Sequence, residues 1–142
     1  MMNKWFHIAR ISVMLTLLIG AVMHLARLLF GTDWFIARVY TPLIDSLFAL
    51  PIILSAFAII AARAEYSFRN RFEKIIVLWT GFYMTASIPV HVQTWFTQNT
   101  DYARLFPMWF SAVFLVYTTI MQIVWWSLRS KAAPLGQRPM AI

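Results

Sequence analysis

Apolar residues occur along the chain in four long runs that are separated by short polar links. The runs cover residues 8–30, 39–62, 74–96 and 105–128, and each is roughly 22–24 residues long. Because about 20 apolar residues in an α-helix cross a hydrocarbon layer of about 30 Å, each run is long enough to span a membrane once. The pattern therefore predicts four transmembrane helices.

The links between the runs are short, which predicts how the helices are arranged. Residues 31–38 and 97–104 form links of about eight residues each. Links of this length connect antiparallel neighbours, so we predict an all-α, up-down-up-down four-helix bundle. A single membrane domain over residues 1–131 accounts for nearly the whole chain. Residues 132–142 contain two prolines and a glycine, and we predict that they form a flexible cytoplasmic tail.

Composition supports a membrane protein, and the positions of the charges predict its orientation. Hydrophobic residues make up 61% of the chain and charged residues 12%, whereas soluble domains carry about 25% charged residues. Nine of the 12 Lys and Arg residues lie near the termini or between the second and third runs. Because basic residues collect on the cytoplasmic side, both termini are predicted to be cytoplasmic. The net charge of +7 thus indicates orientation and not nucleic-acid binding, and the lack of cysteine excludes disulfides.

Three polar side chains occur inside the predicted helices at a similar depth. His24 lies about six residues from the outer end of the first run, and His91 lies about five residues from that of the third. Asp45 lies three to six residues inside the second run. With a rise of 1.5 Å per residue, all three lie about 5–9 Å below the outer membrane boundary. Since polar groups are costly inside a membrane, they are candidates for a functional site.

Structural roles are open for the same residues. Thr41 followed by Pro42 is typical of a helix start, so Asp45 can stabilise that helix end or pair with an arginine. Each histidine can instead bond a neighbouring backbone or hydroxyl group. Arg27, one turn beyond His24, can extend outward to the membrane interface.

Two prolines lie well inside predicted helices. Pro51 is in the second run and Pro89 in the third. A proline removes an amide donor and disrupts the bond to the carbonyl four residues earlier, so we predict a kink in each helix. Two kinked neighbours at one depth would open a cavity beside Asp45 and His91. Trp79 lies farther inside the membrane than the other tryptophans, and it is the one we expect to line that cavity.

Two short motifs resemble a known family. The second run contains Asp45-Ser-Leu-Phe-Ala-Leu-Pro51, and the third contains Met84-Thr-Ala-Ser-Ile-Pro89. An intramembrane acid followed by Phe-x-Leu-Pro, with a later Met-Thr-x-x-Ile-Pro, resembles the EXPERA superfamily. That superfamily includes the sigma-2 receptor and the emopamil-binding sterol isomerase, and the sigma-2 receptor branch is the more similar. The resemblance covers about residues 14–130.

The resemblance implies a bundle with a lipophilic pocket that opens towards the membrane. It implies sterol-like molecules or cationic amphiphiles as ligands, and a homodimer as the assembly. It also implies two acids in the pocket, here Asp33 and Asp45, one of which binds the ligand amine. By the same resemblance, Trp79, Ala86 and Phe114 are expected to line the pocket.

Three functions are consistent with these observations. The first is binding of a sterol-like or cationic amphiphilic ligand among membrane lipids, with Asp45 as the anchor; it needs no metal and no cofactor. The second is double-bond isomerisation of a sterol or isoprenoid, with His24 and Asp45 as candidate catalytic residues and His91 as a further proton carrier. Leu28 stands where the isomerase branch has a glutamate, which favours binding over catalysis. The third is a haem or quinone site between His24 and His91. The membrane is either a bacterial inner membrane or the endoplasmic reticulum.

Overall fold

The computed structural model describes residues 4–131, and these residues are almost entirely helical. The elements are the α-helices α1 (Lys4–Phe30), α2 (Thr32–Arg38), α3 (Pro42–Ala62), α4 (Arg71–Thr97) and α5 (Met108–Ser127), a 3-10 helix (Asp101–Leu105), and the strands β1 (Tyr66–Ser67) and β2 (Arg129–Ser130). The tail predicted at residues 132–142 lies outside the described residues.

Four of these helices, α1, α3, α4 and α5, are long and apolar enough to cross a membrane. This confirms the prediction of an all-helical, multi-pass integral membrane protein. The helix ends lie within a few residues of the predicted ones. Helix α3 begins later than expected because the Thr41 hydroxyl accepts the Ile44 N–H over 3.4 Å, while Pro42 occupies the first turn.

The link after α1 contains the short helix α2, where the sequence predicted only a connecting loop. Gly31 separates the two helices and has φ = 84°, a left-handed conformation that favours glycine. Its N–H donates to the carbonyl of Arg27 over 2.9 Å, and its own carbonyl accepts the Phe35 N–H over 3.0 Å. The glycine thus ends α1 and allows α2 to begin immediately afterwards.

Helix α1 packs against both α3 and α5, and α3 also packs against α4. Hydroxyl groups join the helices: Thr16 Oγ1 on α1 lies 2.9 Å from Ser55 Oγ on α3. The Trp125 indole N–H on α5 donates to Thr80 Oγ1 on α4 over 3.1 Å. Such contacts are typical of helices that meet inside a membrane. Helices α4 and α5 nevertheless contact each other much less than the other neighbouring long helices do.

The end of the bundle that holds the start of α1 is closed by backbone pairing. Strand β1 pairs with β2 in antiparallel fashion, with Tyr66 opposite Ser130. The Glu65 carboxylate accepts the Phe6 N–H over 2.7 Å. The larger apolar core, which includes Phe6, Tyr66 and Trp125, begins at this end and continues into the middle of the bundle. The open space of the molecule lies towards the opposite end.

Both prolines of the predicted cavity lie within unbroken helices. Pro51 is inside α3, and Pro89 is inside α4. The kinks at these residues and the up-down order of the helices stay predictions.

Candidate functional site

A cavity of about 300 Å³ lies between the four long helices, near the end that carries α2 and the 3-10 helix. Its wall is mostly apolar and aromatic, with contributions from every long helix. Leu17 and Gly20 lie on α1, Phe48 on α3, Met84 on α4 and Phe110 on α5. Two clusters of hydrogen-bonded side chains lie at one end of the cavity.

The cavity opens on the side of α4. Trp79 and Phe82 line the cavity and are at the same time 44% and 61% exposed on the outer surface of the helix. Phe106, just before α5, also combines a cavity-lining position with exposure. Of the adjacent long helices, α4 and α5 pack together least extensively. The exposed aromatic residues that line the cavity lie on α4 and just before α5, which indicates an opening between these helices.

The first polar cluster surrounds Asp45, which is fully buried. One carboxylate oxygen accepts the His91 Nδ1–H over 2.5 Å and a bond from the Tyr40 hydroxyl. The other oxygen accepts the Tyr102 hydroxyl over 2.8 Å and a bond from the Thr94 hydroxyl. The two phenol oxygens lie 2.5 Å apart. We call these five residues the Asp45 cluster; its donors come from the link before α3, from α4 and from the 3-10 helix.

The two tyrosines of the Asp45 cluster are protonated at neutral pH. Burial, together with the nearby Tyr102 and Asp45, raises the pKa of Tyr40 far above its usual value. Burial also raises the pKa of Tyr102. Each phenol therefore keeps its proton and donates a hydrogen bond to the Asp45 carboxylate.

His91 connects the Asp45 cluster to the cavity. Its Nδ1 atom faces Asp45, while its ring lines the cavity and meets Phe48 edge-on, with 5.3 Å between ring centroids. Its Nε2 atom has no hydrogen-bond partner among residues 4–131. The Asp45 carboxylate is hydrogen-bonded to one nitrogen of an imidazole whose ring lines the cavity. This arrangement is suited to proton transfer.

The second polar cluster surrounds Arg27 at the end of α1. Arg27 Nε donates to Thr32 Oγ1 over 3.1 Å, and Nη1 donates to Ser111 Oγ over 3.1 Å. Nη2 donates to the Phe106 carbonyl oxygen. His24 Nδ1 lies 2.9 Å from the same Ser111 oxygen. These five residues form the Arg27 cluster, which joins α1 to α2 and α5.

Arg27 turns inward, although its place in the sequence also allowed it to extend outward. The residue is only 3% exposed, and it lines the cavity. Its guanidinium turns inward because Thr32, Ser111 and the Phe106 carbonyl supply acceptors there, and buried donors need such partners.

The structure brings together five of the residues that the sequence singled out for the site. The side chains on the cavity wall are His24, Trp79, Ala86, His91 and Phe114. The rings of His24 and Phe114 lie close together, with 4.1 Å between centroids.

The two predicted acids lie elsewhere. Asp45 is not on the cavity wall; it lies behind His91 and Tyr40, which are. Asp33 lies on α2 with its side chain 87% exposed, and it forms an ion pair with Arg104 outside the cavity. The imidazole of His91 therefore lies on the cavity wall, and neither carboxylate does.

Most of the hydrogen-bond partners of Asp45 and Arg27 were not apparent from the sequence. Tyr40, Thr94, Tyr102 and Ser111 were not singled out, because two of them lie in links whose path depends on the folded structure. The inward position of Arg27 did have a sequence signal. Small and polar residues recur every four positions along α1 at Ser12, Thr16, Gly20 and His24, and Arg27 continues that face.

Comparisons with the models of known protein families, with curated proteins and with solved structures find no match for this chain. Its class therefore follows from its helices: it is an integral membrane protein with four helices able to span the membrane. Among residues 4–131, no group of three or more His, Cys, Asp or Glu side chains is placed to hold a metal ion.

Proposed function

We propose that this protein binds a lipophilic molecule in the cavity between its four membrane helices. The observation that carries the proposal is the cavity itself, a mostly apolar and aromatic space of about 300 Å³ with two clusters of polar side chains at one end. Ligand sites of proteins are typically concave, mostly apolar spaces of roughly 300–1,000 Å³ with a few convergent polar groups. The polar end orients a ligand, and the aromatic wall buries its hydrocarbon part.

The ligand enters from the membrane. The opening between α4 and α5 is framed by Trp79 and Phe82, which lie on an outward face of a membrane-spanning helix. A molecule dissolved in the lipid reaches the cavity through this opening without crossing water. This route favours ligands that partition into the bilayer, including sterol-like molecules.

The resemblance to the EXPERA superfamily supports the same proposal. The motifs of that resemblance, Asp45–Pro51 and Met84–Pro89, lie on α3 and α4. Asp45 supports the polar end of the cavity through His91, and Met84 lines the wall. We accordingly propose an EXPERA-like site in an up-down bundle with cytoplasmic termini.

Filling the opening tests the proposal. Ala86 lines the cavity on α4 and is exposed, so Ala86→Trp places a large ring in the opening without disturbing the core. We expect binding of a fluorescent sterol or a fluorescent fatty acid to the protein in nanodiscs to weaken about tenfold or more, because the ring occupies ligand space. Fluorescence titration measures the affinity.

The matched control is Ala112→Trp. Ala112 is also exposed, lies on α5 and is not part of the cavity wall. We expect this variant to bind both probes as the wild type does. Equal affinities for wild type and Ala86→Trp, or no saturable binding to the wild type, would contradict the proposal.

A second candidate function is double-bond isomerisation of the bound lipid, which the Asp45–His91 pair favours. Such a reaction removes a proton from one carbon and adds a proton to another, so it balances without an oxidant or a reductant. Asp45 positions His91, and the His91 Nε2 atom accepts or donates the proton in the cavity. His24, on the same wall, is the partner for the second proton.

Solvent deuterium tests this second candidate. We expect a sterol or isoprenoid substrate, incubated with the protein in deuterium oxide, to gain deuterium and a shifted double bond. His91→Gln is expected to remove this incorporation while His7→Gln, near the other end of α1, leaves it unchanged. Mass spectrometry of extracted lipids measures both changes; unlabelled and unshifted lipids from the wild type would count against isomerisation of those substrates.

A further inference from the structure

Arg27 is a buried positive charge that has no carboxylate partner among residues 4–131. It is 3% exposed, and no Asp or Glu oxygen within the described range lies within 4.0 Å of its guanidinium. Its three acceptors, Thr32 Oγ1, Ser111 Oγ and the Phe106 carbonyl, are all neutral. A guanidinium carries five N–H donors, so two of them have no acceptor from residues 4–131.

The surroundings of Arg27 do not supply the missing negative charge. No acidic side chain of the described residues lines the cavity. Asp45 is the buried acid at this end of the molecule, and its two oxygens already accept four hydrogen bonds. Asp33 is paired with Arg104 on the exposed surface. Removing a charge from water is costly unless an opposite charge accompanies it, so Arg27 is a site that an anion stabilises.

One further feature gives this end of the cavity a positive potential. Helix α5 begins beside Arg27, with Ser111 in its first turns, and no side chain of residues 4–131 caps its N-terminus. The N-terminus of a helix carries a partial positive charge and unpaired N–H groups. Apolar residues, including Phe110 and Phe114, extend from this end along the cavity wall.

We propose that the cavity takes an amphiphile with an oxyanion head group, which pairs with Arg27, and with its hydrocarbon tail along the aromatic wall. This inference rests on the proposed function and specifies the chemistry of its ligand. The free N–H groups of Arg27 bind the oxyanion, and the tail passes Phe114 and Phe110 towards the opening. A cationic head group would instead face the guanidinium, so an amine is the least favoured of the possible head groups.

Three probes that differ only in the head group test the inference. The probes are a fluorescent long-chain carboxylic acid, the primary alcohol of the same chain and the corresponding primary amine. We expect the wild type, in nanodiscs of phosphatidylcholine, to bind the acid about tenfold more tightly than the alcohol, because charge-assisted hydrogen bonds are the stronger ones. The amine is expected to bind most weakly. Equal affinity for acid and alcohol, or tighter binding of the amine, would overturn the inference. The proposal that the cavity binds a lipophilic molecule would be unaffected.

Arg27→Gln isolates the contribution of the charge. We expect this variant to bind the acid and the alcohol equally, with the affinity for the alcohol unchanged. Arg104→Gln is the control, since Arg104 is a half-exposed arginine outside the cavity, and it is expected to keep the preference for the acid. A preference for the acid that survives in Arg27→Gln would overturn the inference. If Arg27→Gln does not fold, Arg27→Lys keeps the charge, and its expected result is a retained preference; equal binding would again overturn the inference.

The same assay separates two sources of the oxyanion and separates this inference from the proposed function. If phosphatidic acid added to the nanodiscs competes with the acid probe, the source is a membrane phospholipid. If it does not compete, the source is a free lipophilic acid. Either result supports an oxyanion site, provided that the acid probe binds through Arg27. Failure of all three probes to bind the wild type would contradict the proposed function, and this inference with it.

Discussion

Asp45 and Arg27 are buried charges of opposite sign at the same end of the molecule, and their surroundings differ. Asp45 is fully buried and accepts hydrogen bonds from four side chains. These donors stabilise its negative charge, and they come from the link before α3, from α4 and from the 3-10 helix. Within the described part of the chain, Arg27 has only neutral acceptors, and two of its N–H groups have no acceptor. A buried charge needs partners. The partners of Asp45 are side chains of the protein, so we expect Asp45 to stabilise the fold. Arg27 has no charged partner within the described residues, so we expect it to bind the head group of a ligand.

Asp45→Asn is expected to destabilise the protein. The substitution removes the charge and turns one of the two acceptor oxygens into an amide donor, which faces groups that were donating to Asp45. We expect a loss of about 2–4 kcal/mol in the free energy of unfolding, since hydrogen bonds to a buried charge are worth more than neutral ones. Denaturant or thermal unfolding in detergent measures the change.

Asp101→Asn is the matched control. The Asp101 side chain is 65% exposed, and it pairs only with Arg104 at the surface. We expect a change within about 0.5 kcal/mol, as is usual for exposed positions. If the Asp45→Asn variant had the same free energy of unfolding as this control, the Asp45 cluster would not be what stabilises the packing of the links against the helices.

The long helices are joined by hydroxyl contacts as well as by apolar packing. Thr16 Oγ1 on α1 lies 2.9 Å from Ser55 Oγ and donates to the carbonyl of Pro51 over 3.2 Å, so α1 and α3 share a polar contact at mid-bundle. Lipid supplies no hydrophobic drive for helices to associate, so close packing and such bonds hold them together. Helices α4 and α5 lack extensive contact, and the cavity opens there.

A double-mutant cycle on Thr16→Val and Ser55→Ala tests the contact between α1 and α3. We expect a coupling energy of about 0.6 kcal/mol, the average for interhelical hydrogen bonds in a membrane. The control cycle uses Thr85 and Thr119, whose hydroxyls bond only carbonyls of their own helices. Unfolding in detergent measures all variants; a coupling no larger than that of the control pair would contradict the assigned contact.

The two ends of the molecule differ: one is closed by backbone pairing, and the other contains the cavity. The closed end carries β1, β2 and the basic residues that predict a cytoplasmic location. The cavity end carries α2 and the 3-10 helix, whose tyrosines complete the Asp45 cluster. We therefore expect the cavity to lie in the half of the membrane that is away from the cytoplasm.

Single cysteines test this orientation, because the chain contains none of its own. We expect Ser67→Cys, at the closed end, to react with a membrane-impermeant thiol reagent only from the cytoplasmic side. Asn99→Cys, between α4 and the 3-10 helix, is expected to react only from the opposite side. Both positions are exposed. Labelling of both from one side would contradict the predicted topology.

The apolar runs predicted the helices, but only part of the site. Length and hydropathy determine a membrane helix locally, so α1, α3, α4 and α5 were predicted within a few residues. His24, His91 and Trp79 could be singled out because polar or aromatic residues inside a membrane are conspicuous. Tyr40 and Tyr102 could not, since only the folded links bring them to Asp45. Long-range contacts of this kind leave no pattern in the sequence.

The central claim, that the cavity holds a lipophilic molecule, is tested most directly by photolabelling. Two diazirine-bearing probes, a sterol and a fatty acid, would be cross-linked to the wild type in nanodiscs and mapped by mass spectrometry. We predict saturable labelling of peptides at the cavity wall, around Trp79 and Phe110, that excess unlabelled probe removes. Labelling by both probes that is confined to outward positions such as Leu54 and Ile123, and that no competitor removes, would contradict the claim.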